Sequence, residues 1–310
     1  MLGRMANNVY WMARYIERAE NLARLLATTY HMSLMPAASG EDTANWEAPL
    51  RLVGGREDFL SRYGEVTPGN VLNYMALDLD NTSSIRSCIR VARENARATR
   101  TGLTTEVWEG INQTYIELEG MSYPQMLDDG FQEFFDWIKE RSHTFRGACY
   151  GTLRRAECFA FTRLGTFIER ADNTARFLSI KWDMLTPSGR PLGAVDYYRW
   201  GALLRAFSAL KAYREVYSTI IEPRRVAELL VLRRDMPRSL VACTLEVAGV
   251  LRGLRSQAMC TRVCGQIHER LERHRIDGIL RSGLPQFLNT FVARNNELHA
   301  MIGREFMLVL

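Results

Sequence analysis

Lysine and histidine are scarce in this chain, and long apolar runs are missing. Lysine accounts for 3 of the 40 basic residues, and there are 5 histidines among 310 residues. Because no apolar run approaches the ~18–20 residues of a membrane-spanning helix, the sequence predicts no transmembrane segment. The first residues also lack the apolar stretch of a signal peptide, so we expect a cytoplasmic location.

The motifs of common catalytic sites are missing as well. There is no Gly-rich phosphate loop, no Gly-x-Ser-x-Gly elbow and no His-Glu-x-x-His zinc motif. A carboxylate di-iron bundle needs two Glu-x-x-His elements, and the chain has one, at Glu140–His143. Cys260, Cys264 and His268 would share a helix face, but zinc motifs use closer cysteine pairs. We therefore expect no metal and no cofactor in this chain, while a Cys–His nucleophile pair that meets only in space stays open.

Positive charge is carried almost entirely by arginine, which supplies 37 of the 40 basic residues. A guanidinium group can hold a carboxylate or a phosphate through two parallel hydrogen bonds, which an ammonium group cannot do. The formal net charge is +5, which does not indicate a surface that coats nucleic acid. The arginines are therefore candidates for specific contacts to anionic groups.

One motif occurs twice in the chain. Residues 15–26 read YIERAENLARLL, and residues 167–178 read FIERADNTARFL. Over the longer windows Met12–Leu26 and Leu164–Leu178, 8 of 15 positions are identical. The offset of 152 residues places one copy near the start of each half of the chain. The sequence therefore indicates an internal duplication.

In a helix, the polar positions of each motif copy fall on one face, since residues three and four apart are neighbours. A solvated helix face would explain a single copy. Repetition of the same order of acid, arginine and asparagine favours a buried or cleft-lining network, in which the charges must be paired. We expect a crossed arrangement, in which Glu17 and Glu169 each pair with an arginine of the other half. The candidate site residues of the motifs are Arg14, Glu17, Arg18, Glu20, Asn21, Arg24, Glu169, Arg170, Asp172, Asn173 and Arg176.

A stripe of five arginines lies on the helix predicted at about 82–101. The arginines follow steps of 4, 3, 4 and 3 residues, so they share one helix face. Solvation, or pairing with acids of neighbouring helices, would explain such a stripe. The stripe would also suit an anion site or a surface that docks a partner. Because like charges this close repel each other, we expect the stripe to face a cleft or the motif acids. The arginine stripe consists of Arg86, Arg90, Arg93, Arg97 and Arg100.

Apolar spacing indicates helices throughout, and no segment alternates at the period of a strand. We predict one all-α domain over 1–310, a bundle of about ten helices with two pseudo-symmetric halves at about 1–142 and 143–310. A helix over 4–33 carries the first motif, and a long helical stretch over 143–185 carries the second. The two motif helices should pack near each other.

The chain resembles the bacterial alpha-E family, whose members are predicted helical proteins named for a Glu-Arg motif. The resemblance covers essentially the whole chain. It rests on Asn8–Arg24, Asp80–Arg86, Ala92–Arg97, Leu164–Arg176 and Met236–Ser239.

The resemblance implies a partner and a reaction class. Such proteins are typically encoded beside, or fused to, a circularly permuted ATP-grasp ligase, often with a transglutaminase-like protease. We expect that ATP-grasp protein as the partner, with ATP and Mg²⁺ bound to it and not to this chain. The expected function is an accessory or co-catalytic subunit in amide (peptide) ligation, which binds an amino acid, a peptide or a phosphorylated substrate through its Glu/Arg clusters.

Two other functions remain compatible with the sequence. A non-catalytic helical scaffold or regulator would use the motif as internal glue, and the solvent exposure of Glu17 and Glu169 separates this hypothesis from the first. An RNA- or tRNA-binding module would use the arginine stripe, and its affinity would fall steeply with salt.

Overall fold

The computed structural model describes residues 3–35, 41–186, 193–217, 220–254 and 258–307. Sixteen α-helices and one short 3-10 helix form this part of the chain, and no strand occurs within it. The all-α prediction is therefore confirmed. Across the same residues, no helix is both long enough and apolar enough to cross a bilayer.

The first eight helices carry the first motif copy and the arginine stripe. They are α1 (Gly3–Ser33), α2 (Glu41–Val53), α3 (Arg56–Tyr63), α4 (Pro68–Ala76), α5 (Ile85–Ala98), α6 (Thr105–Glu119), α7 (Tyr123–Asp129) and α8 (Phe131–Thr152). The 3-10 helix, Arg100–Gly102, follows α5.

The remaining eight helices carry the second motif copy. They are α9 (Glu157–Leu185), α10 (Ala194–Ala206), α11 (Leu210–Tyr217), α12 (Pro223–Val231), α13 (Leu240–Gly253), α14 (Ala258–Arg273), α15 (Ile276–Ser282) and α16 (Leu284–Phe306).

The sixteen helices exceed the expected number of about ten because short turns divide the chain more often than apolar spacing indicates. Gly130 and Gly283 take positive φ angles of 95° and 93°, which favour glycine, and each separates two helices. The helical stretch expected over 143–185 is likewise two helices, α8 and α9. It breaks there because Leu153 and Ala156 adopt extended backbone angles.

Helices α1 and α9 form the centre of the fold. Helix α1 packs against α9, α5, α8 and α10, and α9 packs also against α13 and α16. The expectation that the two motif helices pack together is confirmed. Because neighbours cover α1 on several sides, most of its polar motif residues are buried rather than solvated.

The two central helices cross in close contact at Gly165. Paired residues of α1 and α9 differ in number by 151 to 155, so the helices run in the same general direction. A Cβ atom on Gly165 would overlap the backbone oxygen of Tyr10 and lie 3.1 Å from the Cβ atom of Ala13. The absence of a side chain at Gly165 therefore permits the close approach of the helices.

We expect Gly165→Ala to lower the free energy of unfolding by about 1–3 kcal/mol, because the added methyl group would force the central helices apart. Alanine favours helix formation over glycine by about 1 kcal/mol, so a loss of stability in this variant would come from the steric overlap and not from helix propensity. The matched control is Gly147→Ala in α8, where an added Cβ meets no atom within 4 Å and stability should be kept or raised. Urea denaturation of both variants measures the difference, and equal changes would contradict the close packing at Gly165.

Candidate functional site

Two crossed ion pairs join the motif copies. Arg170 of α9 donates from Nε to Oε1 of Glu17 and from a terminal nitrogen to Oε2, both at 2.9 Å. Arg18 of α1 donates to the two oxygens of Glu169 in the same way, at 2.6 and 3.2 Å. Each pair joins the glutamate of one copy to the arginine of the other. The crossed arrangement predicted from the sequence is confirmed.

Glu169 binds a second arginine on α1. Arg14 donates to Oε2 of Glu169 at 2.7 Å, and both side chains are buried. Burial raises the pKa of a carboxyl, but the charges of Arg14 and Arg18 outweigh it and lower the pKa of Glu169 to about 2. Glu169 is therefore ionised at neutral pH, and its role is to hold the two arginines rather than to exchange a proton.

The acids of the first copy bind two further arginines from distant helices. Arg146 of α8 contacts Glu17 at 3.0 Å and also Glu20. Arg238, just before α13, contacts Glu17 at 3.1 Å, Asn21 Oδ1 at 3.0 Å and Glu20. Burial raises the pKa of each glutamate, but the arginine charges lower both values below the usual range. Sequence reasoning missed Arg146 as a site residue, and only the Met236–Ser239 segment of the family resemblance pointed to Arg238.

Glu20 has all of its hydrogen-bonding capacity satisfied inside the protein. Arg24 donates to Oε1 at 2.8 Å, and Ser142 of α8 donates to Oε2 at 2.7 Å. Arg24 also donates to the backbone oxygen of Ala206 at 2.9 Å, at the end of α10. Together with Arg238, this arrangement ties α1 to α8, to the end of α10 and to the segment before α13, and it leaves Glu20 without exposure. We call it the closed cluster, and it consists of Glu17, Glu20, Asn21, Arg24, Ser142, Arg146, Arg170 and Arg238.

The second motif copy lines a cleft instead. The cleft has a volume of about 360 Å³ and lies among α1, the end of α2 and α9. Its lining includes four arginines, two carboxylates and Asn173. Arg51 also pairs at 3.0 Å with Glu47, which is outside the lining, so the four arginines exceed their carboxylate partners by one positive charge. Arg51 and Arg176 are the more exposed of these arginines, at 60% and 40% of the side chain. We call it the open cleft, defined by Arg14, Arg18, Arg51, Glu169, Asp172 and Arg176.

Among the described residues, Asp172 of the open cleft receives a hydrogen bond on only one of its two carboxylate oxygens. Arg176 donates from Nε to Oδ2 of Asp172 at 2.7 Å. The other oxygen, Oδ1, is buried, and no described residue donates a hydrogen bond to it. Burial raises the pKa of Asp172 above its usual value, although Arg176 opposes this effect. A donor or a cation from outside the chain would satisfy Oδ1.

The arginine stripe lies against α6 and not against the motif acids. Arg86 donates to the backbone oxygen of Leu118 at 2.9 Å, and Arg93 lies over the rings of Trp108 and Tyr115. The reason is that the apolar face of α5 packs on α1, which turns the opposite face of α5 away from the motif. Of the stripe, Arg90, Arg97 and Arg100 are exposed.

In the part of the chain that the structure describes, no group of three or more His, Cys, Asp or Glu side chains is arranged to hold a metal ion. Cys260 and Cys264 are both buried. His268 instead approaches Thr244 and Glu272.

We expect Glu17→Ala to lower the free energy of unfolding by about 3–5 kcal/mol, because it leaves buried arginines without their counter-charge. The control is Glu94→Ala, since Glu94 is 44% exposed and pairs with Arg93 and Arg97 near the surface. That control should change stability by about 1 kcal/mol or less. Thermal and urea melts of both variants test the difference. A Glu17→Ala protein with the stability of the wild type would show that the closed cluster is not needed for folding.

The lowered pKa of Glu169 makes the stability of the fold depend on acid pH. The carboxyl has a usual value of 4.5 and a folded value of about 2. Its contribution is therefore fully present above pH 4.5 and is lost as the pH falls toward 2, by about 3 kcal/mol in total. Glu169→Gln should be less stable at pH 7 and should lose less stability than the wild type between pH 4.5 and pH 2. If the free energy of unfolding falls equally in the two proteins between pH 4.5 and pH 2, this assignment is contradicted.

The comparisons with known proteins give one match. No curated protein and no solved structure matches the chain. Residues 1–307 match the Alpha-E family, described as a predicted alpha-helical domain with a conserved ER motif. Two Glu-Arg steps of this chain, Glu17–Arg18 and Glu169–Arg170, form the crossed pairs. The chain belongs to the Alpha-E family.

Proposed function

We propose that this chain is an accessory or co-catalytic subunit of an ATP-grasp-type amide ligase system, and that the open cleft is its substrate site. The observation that carries the proposal is the lining of this cleft, where four arginines exceed two carboxylates. A surplus of guanidinium groups favours a carboxylate or phosphate ligand, because each can accept paired hydrogen bonds. The substrate would be an amino acid, a peptide or a phosphorylated compound.

Arg176 is the arginine best placed to bind such a ligand. It uses Nε for Asp172, and its terminal nitrogens have no acceptor among the described residues. Arg14 and Arg18, by contrast, are engaged by Glu169 and hold the wall of the cleft. Arg176 is also 40% exposed, so a ligand can reach it from solvent.

The partner in this proposal is a circularly permuted ATP-grasp protein, which would hold ATP and Mg²⁺ and activate a carboxylate as an acyl phosphate. This chain would supply the site for the second substrate. Such a system would work in the cytoplasm, where ATP is available. The exposed Arg90 and Arg97 of the arginine stripe are candidates for contact with the partner.

A non-catalytic scaffold is the second candidate function, and the closed cluster favours it. Glu17 and Glu20 are buried, at 1% and 0% exposure, and their partners are all internal. This cluster acts as internal glue whichever function is correct. The two candidates therefore differ only in what they predict for the open cleft.

We further propose that the chain is a single domain, and that its halves, about 1–142 and 143–310, derive from one duplicated unit. The crossed pairs support this idea, because Glu17 and Glu169, like Arg18 and Arg170, are related by the same offset of 152 residues. A two-fold rotation that relates the copies would convert the Glu17–Arg170 pair into the Glu169–Arg18 pair.

The test uses Arg176→Gln in a complex of the full chain with the ATP-grasp protein. Loss of one charged hydrogen-bonding group costs about 1.5–3 kcal/mol, so the KM of the cleft substrate should rise roughly 10- to 150-fold. Stability should fall by about 1–3 kcal/mol, because the largely buried Asp172 loses its guanidinium partner, so a thermal melt first checks that the variant is folded under the assay conditions. ATP turnover and amide product are measured with amino acids and peptides as substrates.

The matched control is Arg273→Gln, which removes an arginine with 79% exposure on α14, paired with an acid four positions earlier like Arg176 but outside the lining of the cleft. It should leave the KM unchanged. If Arg176→Gln retains wild-type turnover and KM while Glu17→Ala unfolds, the scaffold function is favoured and the substrate site is not in the open cleft.

A further inference from the structure

The two motif copies place an acid at equivalent positions with different surroundings. Glu20 and Asp172 are related by the offset of 152 residues, and each is paired with an arginine four positions later, Arg24 and Arg176. In the closed cluster, the guanidinium of Arg238 binds the same oxygen of Glu20 as Arg24 does. In the open cleft, Asp172 pairs with Arg176 through one oxygen, and no residue in the described part of the chain donates to the other oxygen.

The geometry points to Asp172 as the binding site for a protonated amino group, in a cleft whose arginines bind the carboxylate of the same ligand. The inference rests on the proposed function, because it assigns the amine end of that substrate. The ligand class is a compound with a free ammonium next to a free carboxylate, which is an α-amino acid or the equivalent end of a small peptide.

The chemistry of Oδ1 supports an ammonium as its partner. A buried carboxylate oxygen without a donor is costly, and a cationic N–H donor satisfies both its hydrogen bond and its charge. The burial that raises the pKa of Asp172 is the effect that a bound cation would reverse. The closed cluster provides the internal precedent, since Arg238 and Arg146 bring cationic donors to Glu20.

The positive charge next to Asp172 favours a zwitterionic ligand over a simple amine. Arg176 is bonded to Oδ2 of Asp172, so a guanidinium lies directly beside the acid. A simple amine would meet this arginine and the surplus positive charge of the cleft, which repel it. An α-amino acid places its carboxylate next to its ammonium, and both charges then meet partners of opposite sign. A volume of about 360 Å³ is near the lower end for ligand sites and fits a ligand of this size.

The test measures binding of the twenty common L-amino acids to the full chain by calorimetry, each as the free amino acid and as its N-acetyl derivative. Acetylation removes the ammonium and keeps the carboxylate. At least one free amino acid should bind, and its N-acetyl derivative should bind at least tenfold more weakly. Asp172→Asn should weaken the free amino acid by a similar factor and leave the affinity for the N-acetyl derivative unchanged.

Asp172→Asn keeps the shape of the side chain and an oxygen for Arg176, so the variant should fold, and a thermal melt checks this. The matched control is Asp128→Asn, an exposed aspartate of α7 that is outside the lining of the cleft. It should bind the free amino acid as the wild type does.

The outcomes separate this inference from the proposed function. If N-acetyl derivatives bind as tightly as free amino acids and Arg176→Gln abolishes both, the carboxylate site stands and the amine site at Asp172 is overturned. If no compound binds, or if binding survives both Arg176→Gln and Asp172→Asn, the open cleft is not an amino-acid site. That result overturns the inference, and it also excludes an amino acid as the substrate in the proposed function.

Discussion

The structure depends on the pairing of buried carboxylates with guanidinium groups where α1 crosses α9. Charges removed from water are costly unless they are paired and hydrogen-bonded, and here Glu17 and Glu169 each bind an arginine of the opposite helix through both carboxylate oxygens. Such pairs are directional, so they favour one register of α1 along α9. Gly165 permits the close approach on which these distances depend. Apolar packing brings the two helices together, and the crossed pairs select how they meet.

One motif occupies two different environments in the same fold. In the first copy, α8 and the segment before α13 supply Arg146 and Arg238, and every oxygen of Glu17 and Glu20 is engaged. In the second copy, the equivalent acid, Asp172, borders a cleft, and one of its oxygens has no hydrogen-bond donor among the described residues. A repeated sequence therefore does not imply a repeated role. The helices that pack on each copy determine whether its charges are paired inside the protein or line a cleft.

The sequence predicted the helical fold and the crossed pairs because both follow from local spacing. Glu17 and Glu169 could be assigned to arginines of the other half because the repeat itself supplied both partners. Arg146 and Ser142 could not be found in this way, since they reach Glu20 from a helix whose position depends on the tertiary packing. The arginine stripe illustrates the same difficulty. Its spacing placed five arginines on one face, but the packing of α5 on α1 turned that face toward α6.

The asymmetry between the copies also explains how the fold can hold a polar cleft near its centre without losing stability. The closed cluster joins α1 to α8, to α9, to the segment before α13 and to the end of α10 through ion pairs and hydrogen bonds. These contacts fix α1, and α1 in turn presents Arg14 and Arg18 to Glu169 at the wall of the cleft. Arg14 and Arg18 are thus fixed at the wall of the cleft, and a wall fixed in advance would lower the entropy lost on binding of the proposed ligand. The same motif thus forms the internal ion pairs in one copy and the proposed site in the other, and the ion pairs fix the helix that forms one wall of the proposed site.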